Sequence, residues 1–182
     1  MCQFDGLPKT PSTIPIPNPV DGIRFEGISY ISPSPPLNIP PTSKPNLAVF
    51  GLLAVLLGQN TPIKTIAADF PKVKYFSLES LNIGCSVSNT GNVPELPPVP
   101  KPPTVASIPQ SCIVSFVGKS SKGKTISQRC SFSGLRLALE PCTFNRTEFA
   151  DISTLRLDVE DALTLPNTTS VSFDNVRHVN YI

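Results

Sequence analysis

Apolar and polar residues alternate along several short segments of the chain, and this pattern predicts β-strands. Isoleucine, valine, phenylalanine and tyrosine, which suit a pleated sheet, recur in these segments. The segments are residues 22–32, 73–87, 112–118, 123–132, 154–165 and 169–182. Helix candidates are weak and lie at residues 50–58 and 146–152. The pattern therefore predicts an all-β fold, an antiparallel jelly-roll β-sandwich of about eight strands.

The most apolar run of the chain is "NLAVFGLLAVLLG", residues 46–58. Its uncharged apolar part is about a dozen residues long, whereas a membrane-spanning helix needs roughly 20. We therefore expect no membrane span here. The run is interpreted as a buried strand followed by a turn or short helix, and the alternative is a flexible apolar lid over a ligand site.

Proline-rich stretches separate several of the predicted strands. The chain of 182 residues contains 22 prolines, concentrated in residues 8–19, 33–45 and 94–109. Such stretches favour extended conformations and lack backbone donors. Because the segments between them are too short to fold separately, we interpret them as long loops of a single β-sandwich domain, residues 1–182. Loops of that length are usually functional or disordered.

Charge is nearly balanced, with 15 lysines and arginines against 13 acidic residues. The basic residues are scattered along the sequence, whereas a nucleic-acid-binding protein needs a clustered basic face. The sequence therefore argues against a nucleic-acid partner.

The chain begins and ends on a similar step, "CQFDGL" at residues 2–7 and "VSFDNV" at residues 171–176. The first and last strands of a jelly roll often pair, so we expect Asp5 and Asp174 to lie close together. Two carboxylates repel unless a cation or hydrogen-bond donors separate them, and a structural calcium ion bound by both is one expectation. The alternative is that each aspartate caps its own turn.

Five cysteines and no CxxC spacing favour disulfides over a zinc site. Sequential pairing, Cys85 with Cys112 and Cys130 with Cys142, is the simplest of the three connectivities that four cysteines allow. The first pair brackets a proline-rich loop and the second brackets a predicted hairpin. Cys2 is left over.

Two N-glycosylation sequons, "NRT" at Asn145 and "NTT" at Asn167, accompany the cysteines. Together these features predict a glycoprotein of the secretory pathway or the extracellular space.

Catalytic motifs are scarce in the sequence. There is one histidine, His178, and neither a GxSxG nor an HExxH motif is present. This leaves a binding module, or a catalyst that needs no general acid, base, metal or cofactor. A cycloaddition is a reaction of the second kind, because a shaped apolar pocket that aligns two partners lowers its barrier.

Seven segments follow one another along the chain: "FDGL", "IPNPVDGIRFEGISY", "NLAVFG", "KYFSLESLNIGC", "CIVSFVGKSSKGKTISQRCSF", "PCTF" and "SFDNVRHVNY". Their order resembles that of a family of small secreted fungal proteins with a jelly-roll sandwich. The resemblance covers most of the chain outside the proline-rich loops. One branch of that family resembles the hetero-Diels–Alderases of tropolonic sesquiterpenoid pathways. The resemblance implies an intermolecular reaction of a tropolone o-quinone methide with a humulene-type alkene.

Residue type and strand position suggest which side chains would serve such a pocket for small apolar substrates, although each also suits ordinary core or surface. The expected walls are Tyr30, Phe50, Leu53, Tyr75 and Tyr181. The expected catalytic donors are Lys119, Arg177 and His178, and the other substrate-binding donors are Asn82 and Arg136.

A second class of function is a secreted ligand- or carbohydrate-binding effector or cell-wall protein without catalytic activity. A third is a structural secreted protein without a small ligand. Exposed apolar patches beside the loops would indicate a homodimer.

Overall fold

A computed structural model describes residues 4–10, 13–32, 39–51, 64–88, 107–135, 137–162 and 169–182. The described chain opens with a 3₁₀ helix, Phe4–Gly6, and otherwise consists of strands. The strands are β1 (Ile14–Pro15), β2 (Ile23–Glu26), β3 (Ser29–Ile31), β4 (Leu47–Gly51), β5 (Thr65–Ala68), β6 (Tyr75–Ser88), β7 (Ser107–Pro109), β8 (Cys112–Ser120), β9 (Thr125–Phe132), β10 (Glu140–Thr143), β11 (Ile152–Ala162) and β12 (Thr169–Tyr181). The six predicted strand segments all contain strands.

The strands form one antiparallel sheet in the order β1-β3-β4-β12-β6-β11-β5-β2, with β7 and β10 added to β6, and β8 and β9 added beyond β11. This sheet folds back on itself. The ring centroids of Phe25 in β2 and Phe173 in β12 lie 6.4 Å apart, although three strands separate β2 from β12 in the sheet order. The prediction of an all-β, sandwich-like fold is confirmed, and the jelly-roll connectivity stays a prediction.

Phenylalanine side chains fill the space between the layers. Phe4 packs edge-on against Phe25 at 5.5 Å and Phe173 at 6.1 Å, and Phe50 lies 6.2 Å from Phe173. Phe4 is fully buried. Complete burial of such a side chain contributes about 2 to 3 kcal/mol, so Phe4 holds the start of the chain in the core.

The expectation of a first strand beside the last one is wrong. Residues 4–6 form a helical turn, closed by the Leu7 amide donating to the Phe4 carbonyl at 3.0 Å. Both edges of β12 are already occupied around Phe173, by β4 on one side and β6 on the other. The start of the chain therefore meets β12 through side chains instead of a ladder.

The apolar run at residues 46–58 begins, as predicted, with a buried strand: four of the five residues of β4 are buried. β4 ends at Gly51, whose φ of +103° favours glycine and where a side chain would press on the Thr169 carbonyl. Residues 52–58, which include the expected turn and lid, lie outside the described residues.

Both predicted disulfides, Cys85–Cys112 and Cys130–Cys142, are present. The hairpin predicted between Cys130 and Cys142 is not formed, because β9 pairs with β8 and β10 pairs with β6. The second disulfide therefore joins two strands that share no ladder. A hydrogen bond also joins β9 to β10, because the side-chain amide group of Gln128 donates to the Thr143 carbonyl at 2.6 Å.

The helix predicted at residues 146–152 is also wrong. The Asn145 carbonyl accepts the amides of Glu148 and Phe149 at 3.1 and 2.9 Å, which makes a single turn, and β11 begins at Ile152. Phe149, the last residue of this turn, is buried in the core, and its ring centroid lies 4.9 Å from that of Phe144.

The length of the loop that each disulfide closes predicts how much that disulfide stabilises the fold. The bridged cysteines are 27 residues apart in Cys85–Cys112 and 12 apart in Cys130–Cys142. We expect Cys85→Ala with Cys112→Ala to lower the free energy of unfolding by about 3.5 kcal/mol, and Cys130→Ala with Cys142→Ala by about 3 kcal/mol. Urea unfolding of both double variants measures this, and a larger loss from the shorter loop would contradict the ranking.

Candidate functional site

Asp5 and Asp174, called here the carboxylate pair, lie next to each other as expected, although no strand pairing joins them. Asp174 is fully buried at the point where the ladder between β4 and β12 ends. Its carboxylate accepts the Ser43 amide at 2.8 Å, the Ser43 hydroxyl at 3.0 Å and the Asn175 amide at 2.7 Å. These donors compensate the burial of its charge.

Asp5 sits in a less favourable environment. Burial and the neighbouring charge of Asp174 raise the pKa of Asp5, and hydrogen bonds from the Ser43 side chain and the Asn46 backbone oppose that rise. Its Oδ1 atom is buried and has no hydrogen-bond partner. The pair can thus hold a proton more readily than two isolated aspartates.

A cation is the other species that could join the carboxylate pair. The described residues contain no group of three or more His, Cys, Asp or Glu side chains that could hold a metal ion. Calcium at this pair would therefore need backbone carbonyls or water as its remaining ligands. The structural calcium ion stays a prediction.

Asn46, which the sequence analysis did not select, ties the same region together. The residue is fully buried; its amide group donates to the carbonyls of Phe4 at 2.9 Å and Leu7 at 2.8 Å, and its Oδ1 accepts the Ser32 hydroxyl. A polar residue that directly precedes the apolar run "LAVFG" was the available indication, because a buried amide at such a position needs partners.

A second group of predicted residues meets on the outer face of β6 and β12. Tyr75 and Tyr181 are directly paired across the ladder, and their rings stack at 4.7 Å. Arg177 and Val179 precede Tyr181 at alternate positions of β12, so they share its exposed face. We call Tyr75, Arg177, Val179 and Tyr181 the tyrosine face.

The tyrosine face combines apolar surface with a cation. Tyr181 is 39% exposed and Val179 is 45% exposed. Arg177 is exposed, and no ion pair within the described residues engages it. The face therefore offers ring edges and a guanidinium, both free to meet a ligand.

His178 points away from this face. Its ring packs against Phe76, its Nε2 lies 3.1 Å from the Asp21 carbonyl, and its Nδ1 lies 3.4 Å from the Val176 carbonyl. Both ring nitrogens thus face backbone carbonyls. Asn180, on the same side of β12, donates to the Asp21 carbonyl at 2.6 Å. In this arrangement His178 fastens β12 to the turn before β2.

The other predicted site residues are dispersed. Tyr30 and Phe50 are buried in the core, Asn82 donates to the Thr42 hydroxyl at 3.0 Å, and Lys119 is exposed at the end of β8. The remaining three predicted positions, Leu53, Arg136 and Asn167, lie outside the described residues. The structure therefore pairs Tyr75 with Tyr181 and places Arg177 on the same face of β12, four positions before Tyr181.

Comparison with models of known protein families and with curated proteins gives no match to this sequence. Among the described residues, no helix has the length and apolar character needed to cross a membrane.

The carboxylate pair predicts an unusual pH dependence. Because the pKa of Asp5 is raised in the folded protein, the folded state binds a proton more tightly than the unfolded state, and stability falls as pH rises from the unfolded pKa through the folded pKa. Asp5→Asn removes this titration. We expect the variant to be more stable than the wild type at pH 7 and to lose that advantage below pH 4.

Asp174→Ala is the contrasting change, because it leaves the Ser43 and Asn175 amides without their acceptor. We expect it to lower the free energy of unfolding by about 2 kcal/mol. Urea unfolding from pH 3 to 8, with and without calcium, measures both variants. A wild-type protein stabilised by calcium, with an Asp5→Asn variant less stable at pH 7, would contradict the proton interpretation and support a cation.

Proposed function

We propose that the protein is a cofactor-independent pericyclase of fungal secondary metabolism. Its reaction would be the hetero-Diels–Alder addition of a tropolone o-quinone methide to a humulene-type alkene. The observation that supports this most is the tyrosine face, where two stacked aromatic rings and an exposed guanidinium share one side of the β6–β12 ladder. The resemblance of the motif order to the hetero-Diels–Alderases supports the same reaction.

The main requirement of this reaction is that the protein holds the two reactants in alignment. Ring edges of Tyr75 and Tyr181 provide an apolar surface for the two partners, and holding them in a reactive orientation can supply several kcal/mol. The Arg177 guanidinium donates a hydrogen bond to the oxygen of the quinone methide. Electron density increases on this oxygen as the new bonds form, so the donor stabilises the transition state more than the ground state.

The alternative is a secreted ligand- or carbohydrate-binding effector or cell-wall protein without catalytic activity. The same face favours it, because sugar rings pack on exposed aromatic side chains, and two of the three tyrosines of the chain lie here. The two functions differ in one measurable property, since only the first changes the rate and stereochemistry of a small-molecule cyclisation.

A secreted glycoprotein is part of this proposal, and a homodimer remains a prediction. The two disulfides are compatible with an oxidising extracellular environment. Asn145 is exposed on the turn after β10, where its Oδ1 accepts the Thr147 amide at 3.0 Å and the Thr147 hydroxyl at 2.7 Å. The sequon thus lies at a position that a glycan can occupy without entering the core.

Purified protein added to a quinone methide and a humulene-type alkene should accelerate cycloaddition and favour one stereoisomer. Arg177→Gln and Tyr181→Ala should each reduce the accelerated rate about tenfold, through loss of a hydrogen bond or of apolar surface. Product formation followed by chiral chromatography measures both effects.

Arg156→Gln is the matched control, because Arg156 is an exposed arginine on β11, paired with Asp158. It should leave the rate unchanged. An equal loss in this control, or a wild-type protein without effect on rate and stereochemistry, would overturn the proposal. Glycan-array binding that disappears in Tyr181→Ala would then support the alternative.

Expression in a secreting eukaryotic host tests the sequon. We expect the wild-type protein to carry a glycan at Asn145 that peptide N-glycosidase removes, and Asn145→Gln to lack that mass. Intact-protein mass spectrometry measures the difference. Masses that differ before enzyme treatment only by the one methylene group that glutamine adds would contradict glycosylation at this position.

A further inference from the structure

We propose that the hairpin joining β8 to β9 binds an anionic polysaccharide, a chain that carries sulfate or carboxylate groups. Three of the seven residues from Lys119 to Thr125 are lysines, and Lys119, Lys122 and Lys124 are all exposed. No ion pair between described residues engages any of them. The hairpin is therefore a concentrated positive charge in a chain whose net charge is only +2. This inference does not depend on the proposed function.

Hydrogen bonds hold the backbone of this hairpin in one conformation. The Ser120 amide donates to the Lys124 carbonyl at 2.8 Å, and the Gly123 amide donates to the Ser120 carbonyl at 2.9 Å. Gly123 has a φ of +81°, which the turn requires. The Ser121 amide also donates to the Asp151 carbonyl at 2.8 Å. Because the backbone that carries the lysines is already ordered, a ligand has only their side chains to order on binding.

One carboxylate lies against the hairpin. The Asp151 side chain accepts the Ser121 hydroxyl at 3.0 Å, so it contributes to the anchor and offsets one of the three positive charges. The remaining excess of positive charge is large enough for weak, salt-sensitive attraction to a polyanion. It is too small for tight binding to a single anion.

The neighbouring side chains select the class of polyanion. Lys119 is directly paired with Thr125 on β9 and Thr154 on β11, and both threonines are exposed. Hydroxyl groups on either side of a lysine suit the alternating hydroxyls and acidic groups of a polysaccharide. Residues 119–125 contain no aromatic side chain on which a base could stack and no large apolar side chain that could enter a bilayer.

Two triple variants with the same change in net charge test the proposal. The first is Lys119→Gln, Lys122→Gln and Lys124→Gln. The control is Lys9→Gln, Lys44→Gln and Lys72→Gln, three exposed lysines elsewhere on the molecule. Heparin serves as the sulfated probe and polygalacturonate as the carboxylated probe, and titration at several salt concentrations gives the dissociation constants.

We expect the hairpin variant to bind the preferred probe roughly tenfold more weakly than the wild type, with a shallower salt dependence, and the control to bind within twofold of the wild type. The probe that binds more tightly identifies the acidic group. Lys122→Glu, a single change at the exposed tip of the hairpin, should also weaken binding. It tests the proposal even where the triple variant fails to fold.

Equal losses in the two triple variants would show attraction to net charge alone and would overturn the proposal. So would the absence of binding to both probes at low salt. Tighter binding to a DNA duplex or to phosphatidylserine vesicles, lost in the hairpin variant, would assign the hairpin to another class of partner and would overturn it as well. A wild-type protein without effect on cycloaddition leaves these outcomes unchanged.

Discussion

The ladder between β6 and β12 is the constraint on which the rest of the structure depends. It runs from Thr169 paired with Val87 to Tyr181 paired with Tyr75. Phe173 and Val176 lie in the core and Tyr181 is exposed, although strict alternation would put Phe173 and Tyr181 on the same face. A slip of one residue would exchange these two sets, so the core and the tyrosine face are fixed by the same register.

A bulge in this ladder explains how a carboxylate comes to be buried in a strand. Asn175 has a φ of +53°, and the register shifts between Asp174 and Arg177. The bulge aims the Asn175 amide at Asp174 and brings the Arg177 side chain to the outer face. The buried carboxylate thus depends on this first shift, and the pairing of Tyr75 with Tyr181 lies beyond a second shift, between Arg177 and His178.

The start of the chain docks against this region although two carboxylates meet there. Burial of Phe4 contributes about 2 to 3 kcal/mol, and the buried Asn46 amide group holds the carbonyls of Phe4 and Leu7. Repulsion between Asp5 and Asp174 is reduced by the Ser43 and Asn46 donors. The apolar contact and the backbone hydrogen bonds therefore outweigh the electrostatic cost.

Sequence alternation predicted the long strands well, because each of β6, β8, β9, β11 and β12 spans several periods. It missed β1, β5, β7 and β10, since two to four residues are too few to show a period. Whether β10 pairs with β9 or β6 is decided by distant residues, such as Leu81 opposite Cys142. Asp5 and Asp174 were expected together for the wrong reason, since both edges of β12 are taken.

The tyrosine face was harder to predict for a related reason. Tyr75 and Tyr181 were each selected by residue type, yet their direct pairing depends on the register shifts near Arg177, which alternation alone does not indicate. Local pattern predicts which residues alternate, whereas long-range register decides which of them meet. The basic hairpin is the opposite case: its three lysines are close in sequence, so the β8–β9 ladder needs only to expose them. The hairpin and the tyrosine face lie at the same end of the sheet, because Phe76, next to Tyr75, pairs with Ile152, and Ile152 pairs with Ser120 at the start of the hairpin.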